Sequence, residues 1–324
     1  MKKKDNFRIV FMGTPDFAVA SLKAILDSGY QVVAAITAPG KPAGRGKKLS
    51  QPAVKIFAVE NGLKVLQPTK LQNPEFLKEL KTLKADLQVV VAFRMLPQQV
   101  WDMPPMGTIN LHASLLPQYR GAAPIHRAII NGEKETGLTT FLLQKEIDTG
   151  NILLQKKLKI DPEETVGELH DRMMVAGGQL LVDTIEQLRE GEIKLIDQRQ
   201  LIQPETILKP APKIFKDDCR IHWNNDLDTV HNFIRGLSPF PGAFSELNSP
   251  KGDTVIVKIY KASREKSPTQ LHPGTILTDG KTYLKVAAVD GFIRLHELQL
   301  AGKKRLQTVE LLRGFVLADG WHFA

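Results

Sequence analysis

Residues 8–37 read RIVFMGTPDFAVASLKAILDSGYQVVAAIT. The run Arg8-Ile-Val-Phe-Met12 is apolar and ends at Gly13-Thr14-Pro15. Residues 18–28 read as a helix, stopped by Gly29, and residues 31–37 return to a β-rich composition. Strand, helix, strand in this order opens a parallel α/β sheet. Working outward, Leu87-Gln-Val-Val-Val-Ala92 is nearly continuous in its apolar character, which suits a strand covered on both faces. Residues 124–131 read as a helix with Pro124 at its start and Gly132 past its end. Residues 139–143 form a further strand, and residues 164–190 carry one long helical periodicity closing near Gly191.

The character changes after residue 203. Pro204, Pro210 and Pro212, interleaved with Lys209, Lys213 and Lys216, mark residues 204–216 as a linker. Beyond a helical stretch at 226–235, short β-rich pieces follow at 254–260, 274–277, 282–289 and 292–298. Turn signals such as Asp279-Gly280 and Asp290-Gly291 separate them. Short strands at this spacing predict a small barrel or sandwich. The expected organisation is an α/β domain at 1–203, the linker, and a β-rich domain at 217–324.

The chain has 324 residues, 42% hydrophobic and 24% charged, an ordinary globular balance that accommodates two domains. No apolar run reaches the roughly 18–20 residues that span a bilayer. The basic start is not followed by a long apolar stretch, so no secretory signal is expected. The single cysteine, Cys219, excludes an internal disulfide and argues against a thiolate zinc site; no metal is expected, and the cytoplasm is the expected compartment. Net charge is +9. Residues 206–324 hold 17 Lys+Arg against 12 Asp+Glu, a net of +5, whereas the longer stretch 1–205 carries +4. A basic second part points to an acidic partner, nucleic acid above all.

Gly107-Thr-Ile-Asn110-Leu-His112-Ala-Ser-Leu-Leu-Pro117 reads as a strand end entering a turn. Side chains alternate along a strand, so Asn110 and His112 share a face and Leu111 takes the other. In open α/β sheets ligands bind beyond the carboxyl ends of the strands. Ser114 to Pro124 follows as a tight loop of small and rigid residues. Asp148-Thr149-Gly150 lies past the end of the strand at 139–143.

Taken together, Asn110-x-His112, Ser-Leu-Leu-Pro-x-x-Arg-Gly-Ala-Ala-Pro124 and Asp148-Thr-Gly150 resemble the folate-dependent formyltransferases. Three further stretches are similar to the branch of that family whose acceptor is a charged tRNA. They are Phe11-Met-Gly-Thr-Pro-Asp-Phe17, Pro42-Ala-Gly-Arg45-Gly-Lys47-Lys48-Leu49 and Ile234-Arg-Gly-Leu-Ser-Pro239-Phe-Pro241-Gly-Ala243. The resemblance spans nearly the whole chain. It implies a Rossmann-like parallel-sheet catalytic domain followed by a small C-terminal barrel similar to an OB-fold. It implies 10-formyltetrahydrofolate as donor, the amino group of methionyl initiator tRNA as acceptor, and Asn110, His112 and Asp148 as catalytic residues. Folate contacts are expected from Phe93, Met95, Leu96, Pro97, Ser114, Leu115, Leu116 and Pro117. The basic loop with Lys41, Arg45, Lys47 and Lys48 is expected to meet the tRNA, Arg45 above all. Phosphate contacts are expected from Lys213, Lys216, Lys258, Lys261, Lys303, Lys304 and Arg305. Glu146 and Asn151 stand where the family usually has Gly and Asp, and residues 92–97 run one residue short of its usual stretch, so pterin contacts are expected to differ in detail.

These residue types suit formyl transfer. Amine attack on a formyl carbon puts negative charge on oxygen and positive charge on nitrogen. An Asn amide donates to the oxyanion, a contribution of roughly 10²–10³ in rate. A His beside an Asp stabilises charge or moves the amine proton, roughly another 10²–10⁴. Rival readings are a formyltransferase for a sugar or ribonucleotide amine, a nucleotide-dependent oxidoreductase, and a non-catalytic tRNA-binding protein. Gly13-Thr-Pro-Asp lacks the G-x-G-x-x-G spacing that the oxidoreductase requires.

Overall fold

The computed structural model describes residues 3–43, 48–317 and 319–324. The opening stretch forms strand β1 (Arg8–Gly13), helix α1 (Asp16–Asp27) and strand β2 (Gln31–Ile36), with β1 and β2 parallel. Gly29, at φ 79°, turns the chain out of α1 into β2, a conformation that costs glycine nothing. A ribbon of β3 (Lys41–Ala43) and β4 (Lys48–Ser50) follows, then α2 (Ala53–Glu60), β5 (Val65–Leu66) and α3 (Pro74–Thr82). The chain continues through β6 (Leu87–Val91), α4 (Gln98–Trp101), β7 (Thr108–His112), α5 (Pro124–Ile130), β8 (Glu135–Leu142), β9 (Ile152–Lys159) and α6 (Val166–Glu190).

The main sheet runs in the order β5-β2-β1-β6-β7-β8-β9. The pairs β1–β2, β2–β5, β1–β6 and β6–β7 are parallel, and β8 joins β7 antiparallel. Every residue of β6 is buried, as its apolar run requires. The chain builds outward from β1 through β2 to β5, then returns to the other side of β1 as β6. That reversal is the topological switch where such sheets take ligands, and β7 stands beside it. On α6, Gly177 lies against Leu111: a Cβ there would be 2.7 Å from a Leu111 methyl. Leu111 therefore faces the helix, and the opposite face of β7 is left to Asn110 and His112.

Two compact units emerge, one of residues 1–121, 137–158 and 170–210, the other of residues 122–136, 159–169 and 211–324. The stretch expected as a linker is divided between them, 204–210 falling in the first. Lys209 explains this: its N–H donates to Gln118 Oε1 at 2.8 Å and its carbonyl accepts from Tyr119 N at 2.7 Å, so the proline-rich segment is stitched to the loop after β7.

The second unit adds α7 (Leu227–Gly236), β10 (Ala243–Asn248), β11 (Thr254–Glu265), β12 (Ile276–Thr278), β13 (Leu284–Ala288), β14 (Gly291–Leu300), β15 (Leu306–Gln307), α8 (Thr308–Gly314) and β16 (His322–Phe323). Its strands run β12-β13-β14-β11-β10-β16, with β15 on β14. A bridge from Thr275 to His322 joins the two ends and closes the sheet into a barrel. Trp223, Ile234, Val257, Ile259, Ile293 and Leu298 fill its core. The Asp226 carboxylate caps α7 by accepting from Thr229 N at 2.8 Å. On α7, His231 is buried with Nε2 3.1 Å from Glu163, whose carboxylate also takes Arg264 at 2.6 Å. Burial pushes the His231 pKa below its usual value, and the Arg264 and Arg235 charges push the same way, against Glu163.

Candidate active site

Asn110 and His112 project from the last residues of β7, where Asn110 pairs with Phe141 and His112 with Thr139 of β8. Asn110 is half-buried and His112 is buried, its ring edge-on to Phe141 at 6.5 Å between centroids. The two ring nitrogens meet different groups. Nε2 lies 2.9 Å from the Tyr119 carbonyl, which can only accept, so Nε2 carries a hydrogen. Nδ1 lies 3.8 Å from Asp148 Oδ2, close enough for ion pairing and too long for a direct hydrogen bond. Nδ1 is thus the ring nitrogen left for chemistry. The same Asp148 oxygen accepts from Gly121 N at 2.9 Å. The structure brings His112 and Asp148 together across 36 residues of sequence, and it sets Asn110 one pleat repeat before His112 on the same face.

Both partners of His112 sit on left-handed backbone: Tyr119 at φ 59° and Asp148 at φ 54°. Side-chain-bearing residues there cost on the order of 1–3 kcal/mol each and persist only where their surroundings impose them. The surroundings are specific. At the foot of the Asp148 turn, a Cβ on Gly150 would lie 1.6 Å from the Leu142 carbonyl oxygen, so only glycine permits that approach. Thr149 Oγ1 donates to the Glu146 carbonyl at 3.1 Å.

Residues 114–117 are fixed from below by β8 and β9. Thr139 Oγ1 donates to the Ser114 carbonyl at 2.6 Å and accepts from Leu116 N at 3.1 Å. Gln155 Nε2 donates to the Leu116 carbonyl and to Thr139 Oγ1, both at 2.9 Å. Among the residues expected at the folate, Ser114 is fully buried, its hydroxyl donating to the Gln118 carbonyl at 2.6 Å. Leu116 is buried with Phe141 and Ile152, and Leu96 lies in the core with Val100. Leu115 packs on Gly137, where a Cβ would be 2.4 Å from its methyl. Phe93 and Pro97 are half-buried, and Met95 is 74% exposed. The side chains of Ser114, Leu116 and Leu96 are therefore turned into the protein, while that of Met95 is exposed.

Of the expected tRNA loop, Arg45 and Lys47 lie outside the described residues, and Lys41 and Lys48 are described as backbone in β3 and β4 only. In the second unit Lys213, Lys216, Lys261, Lys303 and Lys304 are exposed, whereas Lys258 donates to the Pro241 carbonyl at 2.7 Å. Arg305 pairs with Glu297 at 2.5 Å and stacks over Tyr260, 4.1 Å from the ring centre.

The sequence profile of formyl transferases matches residues 7–185, and that of the formyl transferase C-terminal domain matches residues 213–316. The chain belongs to the formyl transferase family. A methionyl-tRNA formyltransferase of Bacteroides thetaiotaomicron is 53% identical over 319 residues, covering 98% of this chain and 99% of the relative. Another, of Parabacteroides distasonis, is 52% identical over 97% of each chain. Among solved structures, a sugar 3N-formyl transferase determined with dTDP and 5-N-formyl-THF shares the fold at TM-score 0.63 and 20% identity, over 92% of this chain and 99% of that one. HypX of Aquifex aeolicus in complex with tetrahydrofolic acid does so at TM-score 0.61 and 18% identity, over 94% of this chain and 46% of that one. No helix among the described residues is long and apolar enough to cross a membrane.

Tyr119, Thr139 and Gln155 also support this candidate site and were not expected from the sequence. Tyr119 acts through its carbonyl, which no residue type announces. The others are polar residues in strands or turns that became significant only when the chain brought them beside the loops.

Proposed function

We propose that this chain transfers a formyl group from 10-formyltetrahydrofolate to the amino group of methionyl initiator tRNA, at Asn110, His112 and Asp148. The observation that carries the reading is the 53% identity with a methionyl-tRNA formyltransferase along essentially both full lengths. The folates named with the sugar 3N-formyl transferase and with HypX support the donor class.

The geometry supports a division of labour. The donor lies past the carboxyl end of β7 with its formyl oxygen toward Asn110, whose N–H stabilises the oxyanion as the amine attacks. His112 is oriented by its Nε2–H bond to Tyr119, which leaves the Nδ1 lone pair facing the gap toward Asp148. The attacking amine gives up its proton to His112 Nδ1, with Asp148 Oδ2 3.8 Å away. Asp148 anchors the positive charge that His112 then acquires. Collapse of the tetrahedral intermediate breaks the bond from the formyl carbon to the folate nitrogen, which takes up the proton held by His112, and releases tetrahydrofolate and the formylated amine. Exposed lysines of the second unit supply contacts to the tRNA backbone, and such binding weakens as salt rises.

The test is direct: incubate the protein with 10-formyltetrahydrofolate and, in parallel, methionyl initiator tRNA, free sugar amines and ribonucleotide amines. Formylation of the tRNA at a kcat/KM far above that of the small amines is the expected result. Transfer to a small amine alone would assign the chain to that acceptor, and tRNA binding without transfer would leave it a binding protein.

A further inference from the structure

Gln198 lies in no motif, yet its side chain is joined to both arms that hold His112. It is 1% exposed, in a 3-10 turn of residues 198–201. Its amide offers two hydrogens and one oxygen, and all are used. Nε2 donates to the Asp148 carbonyl at 2.9 Å and to the Gly150 carbonyl at 2.8 Å. Oε1 accepts from Arg120 Nε at 3.1 Å and Arg120 Nη2 at 2.6 Å. Arg120 follows Tyr119, whose carbonyl holds His112 Nε2, and precedes Gly121, whose N–H holds the Asp148 carboxylate.

The turn that carries Gln198 is itself fixed. Ile196 and Ile152 exchange two backbone hydrogen bonds, of 2.8 and 3.0 Å, which set the segment against the start of β9, just past the Asp148 turn. Asp197 caps the 3-10 turn by accepting from Arg199 N at 2.9 Å. A buried side chain needed only for volume would be apolar, because burying an amide is costly unless every polar atom is matched. Here the match runs to the carbonyl of a left-handed residue, Asp148, and to the guanidinium beside another, Tyr119.

We infer that Gln198 is a positioning residue for the formyl transfer, fixing the Asp148 turn against the Tyr119–Gly121 loop so that the carboxylate stands at its working distance from His112 Nδ1. The inference rests on the proposed reaction at that site. Gln198 touches no reacting atom and acts through Asp148. Small displacements of a reacting group lower turnover steeply, so its loss is felt in kcat rather than in substrate binding.

The experiment compares the full-length wild type with Gln198→Met, which removes all four hydrogen bonds. Gln198→Glu is the second variant: it keeps the size and the Arg120 partner but presents oxygens to two carbonyl oxygens. Both are also built in an Asp148→Asn background, and kcat, both KM values and the melting temperature are measured. Expected for each single variant is a kcat lower by roughly ten- to a hundredfold with KM values within about threefold. In the Asp148→Asn background the same changes add little further loss, since a residue acting through Asp148 has nothing left to position. A purely structural role would lower the melting temperature and leave kcat per folded molecule intact. Wild-type kcat in either variant, or a full additive loss in the Asp148→Asn background, overturns the inference. If Gln198→Met does not fold, Gln198→Glu decides by the same criteria. A wild type that formylates no methionyl-tRNA overturns the functional reading and this inference together, whereas an active wild type with unaffected variants overturns the inference alone.

Discussion

In the barrel of the second unit, Gly252, Gly280 and Gly302 turn the chain at φ 92°, 69° and 74°, and an added Cβ at any of them meets nothing within 4 Å. Around His112 the glycines are hemmed in: a Cβ would fall 1.6 Å from a backbone oxygen at Gly150 and 2.4 Å from one at Gly137. Side-chain-bearing residues in left-handed backbone divide the same way. Lys84, Ala92, Tyr119 and Asp148 all belong to the first unit, and among the described residues the second unit has none. Those three turns need only reverse direction, and glycine provides that with room to spare; Gly274 and Gly291 of the same unit are crowded instead, an added Cβ falling 2.1 and 2.5 Å from backbone oxygens. The loops past β7 and β8 must hold particular atoms beside one imidazole, so each backbone group is committed and little can shift. Close approach thus occurs in both units, whereas strained side-chain-bearing backbone is confined, among the described residues, to the first.

The same substitution in each region tests this contrast most severely. Gly150→Ala must displace the Leu142 carbonyl or the Asp148 turn, and formyl transfer should fall by at least about a hundredfold, read as kcat on folded protein. Gly280→Ala in the barrel should cost about 1 kcal/mol from its positive φ and leave kcat unchanged. Equal effects at the two positions would erase the distinction. A smaller effect is expected at the basic loop. Arg45→Ala should lower kcat/KM for methionyl-tRNA by roughly tenfold with folate KM little changed, and unchanged kinetics with tRNA would remove that loop from the acceptor site.

The smallest effect concerns stability in the second unit, away from the chemistry. Burial holds the folded-state pKa of His231 below its unfolded value of about 6.5. The folded form therefore binds fewer protons than the unfolded chain once pH falls through that value. Stability is complete above it and declines as pH drops toward the folded pKa. The melting temperature of the second unit's transition should fall between pH 7 and 5, and His231→Gln should flatten that slope. An unchanged slope in the variant would contradict the assignment.

Much of this architecture was legible in the chain. The opening strand–helix–strand and β6 follow from apolar runs bounded by Gly and Pro, and their boundaries agree within two residues. The shared face of Asn110 and His112 follows from period-two alternation alone. Other parts were hidden for identifiable reasons. β9 reads Ile-Leu-Leu-Gln-Lys-Lys-Leu-Lys and carries exposed lysines because it is an edge strand, so it looks like a loop. β10 alternates correctly, but one of its inward positions is Ser245, made acceptable inside by bonds from Trp223 Nε1 and to the Ala324 carbonyl. β8 begins at Glu135, four residues ahead of its expected start at Thr139, and opens through Glu135, Thr136 and Gly137. In the site, family resemblance named Asp148, but its 3.8 Å approach to Nδ1 and the role of the Tyr119 carbonyl exist only once the loops are folded. No local pattern encodes them.

Single-turnover kinetics test most directly whether the cluster past β7 performs the transfer. Asn110→Ala and His112→Ala should each slow formyl transfer from 10-formyltetrahydrofolate to methionyl-tRNA by roughly a hundredfold or more, with folate affinity changed by less than about threefold. Wild-type transfer rates in these variants, accompanied by weakened folate binding, would contradict that role and move the chemistry elsewhere.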